Sequence, residues 1–287
     1  MEIILRILQF AAPVGYAALG ESVNQRAGTL NIGLEGTMLT AAFTSVAVAG
    51  ATHSWLLGLL AGIVSAVLIC LILAFFVLKL AADQVVVGTA INLFAMGVTS
   101  TLYEAVYGRS GKLISVPKLP TFGWFDPWIL LLAILTILIA WMLTKTKFGL
   151  ALRAAGEYPK AVEASGFNAL QLRFAALMIS AVLAGLAGTY LSLGIAGSFA
   201  ANMTAGRGFM AIAMVTFGRW KPWGVIGASI LIGTAEQAQF MLQSQGWGIP
   251  YQVFAMLPYA LALIVLMIAG KGTSVPMDLG RPFRRVR

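Results

Sequence analysis

Residues 145–173 read KTKFGLALRAAGEYPKAVEASGFNALQLR, and they form the longest polar interruption in a chain that is otherwise almost continuously apolar. This stretch holds five basic and two acidic residues. It also contains a short helical pattern between Pro159 and Gly166, because proline fits the first turn of a helix and glycine commonly follows its last turn. An ordered polar helix between two apolar runs is typical of a membrane protein that presents this helix to a soluble partner.

The composition predicts the broad class of the protein. Of the 287 residues, 60% are hydrophobic and 10% are charged, whereas a soluble globular domain carries about 25% charged residues. Several apolar runs reach the roughly 20 residues that a helix needs to cross a bilayer, and the alternating pattern of a transmembrane barrel is missing. We therefore predict an all-α, polytopic membrane protein in which residues 1–287 form a single transmembrane domain of about 8–10 helices.

The apolar runs predict nine spans, and the first is expected to be retained because no small-residue cleavage site follows it. Their approximate limits are residues 5–20, 34–51, 55–78, 85–106, 128–144, 174–194, 198–218, 223–242 and 251–269.

The net charge of +9 is concentrated in two segments, which argues against binding of nucleic acid. Clusters of basic residues beside spans mark the cytoplasmic side of a membrane and attract anionic lipid. We therefore expect residues 145–173, the basic tail 270–287 and the C-terminus to be cytoplasmic, together with Arg219 and Lys221. Five basic residues lie in the first segment, and five more lie in the tail: Lys271, Arg281, Arg284, Arg285 and Arg287.

The first apolar region is broken by the sequence GESVNQRAGTLNIGLEGT at residues 20–37, which holds four glycines and three charges. Unwound backbone at membrane depth is tolerated only where protein buries it or where it lines a watery cavity, and discontinuous helices often mark a translocation path. An ordinary polar turn is the alternative, but three charges facing lipid would be costly. The pattern favours a broken early helix in which Arg26 pairs with Glu21 or Glu35.

The residues predict no enzyme, metal site or cofactor on this chain, because no nucleophile–base set and no phosphate-binding loop is present. Residues 206–211 match a dinucleotide fingerprint in letters only, since the strand that the fingerprint requires is absent. Their glycines instead indicate close helix contact, as does Gly58 with Gly62. The single histidine, His53, has no second ligand nearby, and the single cysteine, Cys70, is expected to be buried and inert.

Three motifs resemble those of permease subunits of bacterial ABC importers, in the branched-chain amino acid, simple sugar and nucleoside permease group. The stretch 28–36, GTLNIGLEG, resembles G-x-x-N-I-G-x-E-G, and residues 153–168 resemble the coupling segment R-A-x-G-x-x-x-x-A-A-x-x-S-G-I-N. Residues 206–224 resemble the later signature G-x-G-F-x-A-I-A…G…P-x-G. The sequence at residues 31–36 resembles that of the nucleoside branch most, with the simple sugar branch as the alternative.

The resemblance implies a non-catalytic transport subunit in the bacterial plasma (inner) membrane, surrounded by lipid. It implies three kinds of partner: a second, homologous permease subunit, ATPase subunits that bind ATP-Mg, and an extracytoplasmic solute-binding protein. A helix at about 157–165 would dock on the ATPase. The residues that match the coupling segment are Gly156, Glu157, Ala161, Glu163, Ala164, Ser165 and Gly166.

Polar and aromatic residues within the spans are the candidates for the substrate path. A nucleobase favours aromatic stacking with amide hydrogen bonds, but the same set suits a simple sugar or a riboflavin-type substrate, and each residue could instead join two helices. A stand-alone secondary transporter or channel is the alternative class, because it also uses broken helices. The candidates are Asn31, Glu35, Asn92, Phe94, Glu236, Gln237 and Gln239.

Overall fold

A computed structural model describes residues 2–108, 116–122, 126–244, 250–269 and 275–283. The basic residues Lys271, Arg284, Arg285 and Arg287 of the tail lie outside these ranges. The helices are α1 (Glu2–Arg26), α2 (Leu34–Thr52), α3 (Trp55–Ala74), α4 (Gln84–Tyr107), α5 (Pro127–Lys145), α6 (Lys147–Glu157), α7 (Pro159–Ala164), α8 (Ala169–Thr189), α9 (Arg207–Phe217), α10 (Pro222–Ser244), α11 (Tyr251–Ala255) and α12 (Leu257–Ala269). Two π-helical turns, Phe75–Lys79 and Tyr190–Ala196, extend α3 and α8.

Within the described ranges, seven helices are long and apolar enough to cross a bilayer, namely α1, α2, α4, α5, α10, and α3 and α8 with their π-helical turns. The prediction of an all-α, polytopic membrane protein is confirmed. The predicted continuous span 198–218 is wrong, because helix α9 begins only at Arg207 and the preceding backbone turns at Asn202 and Ala205, which both have positive φ. The span 251–269 is divided near Met256, since Pro258 cannot donate the next helical hydrogen bond.

Helix α1 is the central helix of the fold. Every residue from Ala11 to Gln25 is buried, because α8, α9 and α10 pack around it. Small residues permit this close packing. A Cβ atom added at Gly20 would lie 2.9 Å from the Cβ of Leu183 and 3.0 Å from the Cα of Ser180 on α8. Helix α1, which contains the first predicted span, has 25 residues and is long and apolar enough to cross a bilayer.

Glycines also bring α2, α3 and α8 into backbone contact, as the small-residue spacing predicts. A Cβ at Gly62 of α3 would lie 2.1 Å from Oγ1 of Thr189, and one at Gly188 of α8 would lie 2.2 Å from the carbonyl oxygen of Met38. The three helices form a tightly packed unit beside α1.

The two ends of the protein are distinct. At one end, which we call the α7 end, Arg26 donates from Nε to the Trp220 carbonyl at 3.1 Å. At the other, the Asp126 end, the Asp126 carboxylate accepts from Gln9 at 3.3 Å and from the Tyr190 hydroxyl at 2.6 Å. The polar segment 145–173, the turn with Arg219 and the described part of the tail all lie at the α7 end. The described parts of the segments that are predicted to be cytoplasmic therefore lie at one end of the protein.

Candidate functional site

The break between α1 and α2 covers residues 27–33, so it is shorter than the predicted range 20–37. Residues 21–26 continue α1 as a helix, because their polar side chains find partners within the protein. Gly28 adopts a positive φ of 89°, which glycine accepts without strain, and turns the chain back along α1.

The Glu21 carboxylate, fully buried, holds the returning chain against α1. One oxygen accepts from Gln25 Nε2 at 3.0 Å and from the Asn31 backbone N–H at 3.1 Å. The other accepts from Asn24 Nδ2 at 3.1 Å and from the Ser180 hydroxyl at 3.5 Å. These four donors satisfy both carboxyl oxygens of the buried side chain. The expected pairing of Arg26 with Glu21 or Glu35 is wrong, because Arg26 lies at the end of α1 and reaches Trp220.

Side chains of helix α4 form hydrogen bonds with the other side of the break. Asn92 donates from Nδ2 to the Ile32 carbonyl at 2.9 Å and accepts from the Gly36 N–H at 2.8 Å. Gln84 accepts from the Leu30 N–H at 2.6 Å. These side chains satisfy backbone groups that the unwound segment leaves unpaired, which is what buried irregular backbone requires in a membrane.

Glu35, at the start of α2, caps the N-terminus of α9. Its two oxygens accept from the backbone N–H groups of Gly206 at 2.7 Å and Gly208 at 2.6 Å. A carboxylate is favourable at this position because the first amides of a helix are unpaired and carry partial positive charge. A Cβ at Gly208 would lie 2.6 Å from the Glu35 Cα. Gly208 therefore serves close contact, as predicted, while Gly206 adopts a positive φ of 81°. The backbone N–H groups of both glycines bind a carboxylate of this chain.

An ion pair lies beside this cap. Arg207 contacts Glu236 of α10 through two parallel interactions, Nε to Oε1 at 3.2 Å and Nη2 to Oε2 at 3.3 Å. The Tyr259 hydroxyl donates to the Ala205 carbonyl next to the pair. Glu236 lies eight residues before Ser244, where α10 ends, while 17% of the Arg207 side chain is exposed. A partly exposed charge among membrane-spanning helices requires water or a polar partner rather than lipid.

The structure brings together some of the predicted path residues and separates others. Asn31, Glu35 and Asn92 are buried around the break, and Arg207 links Glu236 to the same region. Gln237 is buried and Gln239 half-buried on α10. Phe94 is 58% exposed on the outward face of α4 and lies apart from the others.

The short helix α7 has the predicted limits. Pro159 occupies its first turn, and Gly166 ends it with a φ of 85°. The Gly166 N–H donates to the Glu163 carbonyl at 3.0 Å and the Phe167 N–H to the Val162 carbonyl at 3.2 Å, which is the Schellman arrangement. Of the predicted coupling residues, Gly156 is buried and Glu163 half-buried, and the others are exposed: Glu157, Ala161, Ala164, Ser165 and Gly166.

Gly156 joins the coupling segment to the break. A Cβ at this residue would lie 2.3 Å from the Arg26 carbonyl oxygen and 3.0 Å from the Gly28 nitrogen. Helix α6 and the turn of the break are therefore in direct backbone contact, and a movement of α6 toward the break must displace it.

Sequence reasoning missed Arg207, Gln84 and Arg173 as functional candidates. Arg207 could have been chosen from the sequence, because a charged residue within a predicted span is a functional candidate by default. The sequence gives no such indication for Gln84 and Arg173, since their partners lie 54 and 146 residues away in the chain.

Comparison with known proteins identifies the family of this chain. Residues 3–269 match the family described as "branched-chain amino acid transport system / permease component". The chain is 35% identical to the guanosine ABC transporter permease NupQ of Bacillus subtilis, over 92% of this chain and 90% of that protein. It is 32% identical to the nucleoside ABC transporter permease NupC of Lactococcus lactis, over 96% and 95%. No solved structure matches. The protein therefore belongs to the branched-chain amino acid transport permease family.

Proposed function

We propose that this chain is the permease subunit of an ABC importer and that it carries nucleosides. The substrate class is supported by the guanosine and nucleoside permeases to which the chain is similar over most of its length. The observation that carries the mechanism is the contact of Gly156 with Arg26 and Gly28. This contact joins the end of α6, next to the exposed helix α7, to the break between α1 and α2.

The coupling unit is α6, α7 and the start of α8. Ala151, Ala155, Val162, Ala169 and Leu172 form one apolar cluster, so these three elements move together when a partner pushes on α7. A groove of about 330 Å³ between α6 and α7 is bordered by Leu150 and Phe167. An ATPase subunit that binds over this groove and the exposed face of α7 would transmit its closure to Gly156 and from there to the break.

The substrate contacts lie at the Arg207–Glu236 pair. Glu35 and Asn92 are occupied by backbone groups of this chain. Asn31 binds Glu21 through its own backbone N–H and contacts Cys70 Sγ through Nδ2 at 3.7 Å, so these three residues shape the path. Arg207 is partly exposed, and Tyr259 beside it is 43% exposed. A guanidinium and a carboxylate can hydrogen-bond the base or the ribose hydroxyls, while a tyrosine ring can stack on a base. A second permease subunit faces this side and closes the path.

Uptake into vesicles that contain this chain, its partner permease, the ATPase and the binding protein tests the proposal. We expect ATP-dependent uptake of labelled guanosine, which excess unlabelled nucleoside suppresses and excess glucose does not. Suppression by glucose alone would place the chain in the sugar branch. Uptake that an ion gradient drives in the absence of ATP would instead identify a secondary transporter.

The orientation in the membrane has its own test. Cys70, the single cysteine, is fully buried, so the background reaction with thiol reagents is low. Ser165→Cys at the α7 end should resist an impermeant reagent applied to intact cells and react in inverted vesicles. His53→Cys is the matched control, because His53 is exposed and its neighbour Trp55 contacts Trp128 at the Asp126 end. Labelling in the opposite pattern would reverse the topology.

A further inference from the structure

Arg173 is the largest fully buried side chain near the α7 end, and it lies where three segments meet. Its Nε donates to the Ala27 carbonyl of the break at 3.1 Å, and Nη2 donates to the Ala155 carbonyl of α6 at 3.4 Å. Its Nη1 donates to the Arg281 carbonyl at 3.3 Å. One guanidinium therefore binds the break, the coupling segment and residues 275–283, which we call the terminal strap.

The counter-charge of Arg173 comes from the terminal strap. Asp278 Oδ2 lies 2.5 Å from Arg173 Nη2, and the Phe283 ring centre lies 5.5 Å from the guanidinium carbon. A buried arginine without its carboxylate is strongly unfavourable. The strap is therefore required wherever Arg173 is buried as it is here.

The backbone of the strap also binds both neighbouring segments. The Asp278 N–H donates to the Gly156 carbonyl at 2.9 Å, and the Gly280 N–H donates to the Gly28 carbonyl at 3.1 Å. The Met277 N–H donates to Glu157 at 3.3 Å. The strap thus joins the end of α6 to the turn of the break with three hydrogen bonds in addition to the Arg173 pair.

We propose that Arg173 and the terminal strap form a latch that makes α6 and the break move together in both directions of the transport cycle. The proposal rests on the coupling function above. The bare contact of Gly156 with Arg26 transmits a push, because two backbones cannot interpenetrate, but it transmits no pull. Hydrogen bonds and an ion pair resist separation. The latch therefore draws the break back when the ATPase subunits separate, and Arg173 is a positioning residue for coupling.

The decisive variant is Asp278→Asn in the complete complex, because it keeps the shape of the side chain and removes its charge. We expect ATP hydrolysis to continue within about twofold of the unchanged complex while nucleoside transported per ATP falls by about fivefold or more, the range of typical coupling energies. Arg281→Gln is the matched control, since Arg281 lies on the same strap but contributes its carbonyl oxygen to the latch. It should leave the ratio unchanged.

The ratio separates the latch from a purely structural role. A parallel fall of hydrolysis and transport, with a lower melting temperature, would mean that the pair only holds the fold, and an unchanged ratio would also overturn the latch. If Asp278→Asn does not assemble, Phe283→Ala decides the question, because it removes only the ring beside Arg173 and should shift the ratio in the same direction. The proposed function fails separately, if the unchanged complex does not take up nucleosides.

Discussion

Glu35→Leu is expected to abolish uptake and to lower the amount of folded chain. Leucine cannot accept the N–H groups of Gly206 and Gly208, so one half-buried and one buried donor at the start of α9 lose their partners. Each such loss costs about 1–3 kcal/mol, and the roughly 2–6 kcal/mol total is a large part of the stability of an ordinary domain, about 5–15 kcal/mol. Melting temperature and monodispersity in detergent measure the stability, and vesicle uptake measures the function.

Glu35→Gln is a milder variant to compare with Glu35→Leu. Glutamine keeps one acceptor oxygen, but its NH₂ group would face an N–H donor, so we expect an intermediate loss of stability. A Glu35→Leu chain that is as stable as the unchanged protein and yet inactive would show that Glu35 acts on the substrate rather than as a cap. Normal stability and normal uptake together would contradict both roles.

Gly156→Val is expected to eliminate transport because the added side chain collides with backbone that cannot yield. Its Cβ would lie 2.3 Å from the Arg26 carbonyl oxygen and 2.9 Å from the Arg26 carbonyl carbon. Contacts under about 3 Å force a shift of the backbone, and overpacking of this kind costs about 1–3 kcal/mol or more. The shift separates α6 from the break, so both the push of the coupling unit and the hydrogen bond to the strap are lost.

A matched control for this substitution exists on α10. Gly227 has open space around its Cβ position and an ordinary helical φ, so Gly227→Val should leave uptake close to normal. Gly156→Ala should show a smaller loss than Gly156→Val in the same assay. Normal transport by Gly156→Val would mean that the contact between α6 and the break has no part in coupling.

The features that could be predicted from sequence are those with local causes. Seven of the nine predicted spans correspond to long helices, because a bilayer-length apolar run has few other stable structures. The limits of α7 could also be predicted, because proline fits the first turn of a helix and glycine commonly follows its last turn, as Pro159 and Gly166 do here. The span 198–218 failed because its apolar residues surround turns at Asn202 and Ala205, and the capping of α9 by Glu35 depends on a partner 171 residues away.

The break shows how local polarity misleads within a membrane. Glu21, Asn24 and Gln25 read as residues that a helix in lipid would exclude, so the break was predicted to begin at residue 20. They remain helical because α1 is surrounded by protein, and they bind one another and Asn31. Similarly, Asn31, Glu35 and Asn92 could be picked out as unusual residues, but the binding of backbone groups by Glu35 and Asn92 could be predicted only with knowledge of which helices meet.

The distance along the chain between Arg173 and Asp278 has a consequence for biosynthesis. The two residues are 105 positions apart, so a ribosome working at about 5–20 residues per second makes the aspartate roughly 5–20 s after the arginine. During this interval Arg173 has no counter-charge and cannot remain buried beside Ala27 and Ala155. The joint between α6 and the break therefore closes late in synthesis, and a nascent chain that stalls before Asp278 carries an open joint at the end where its ATPase would bind.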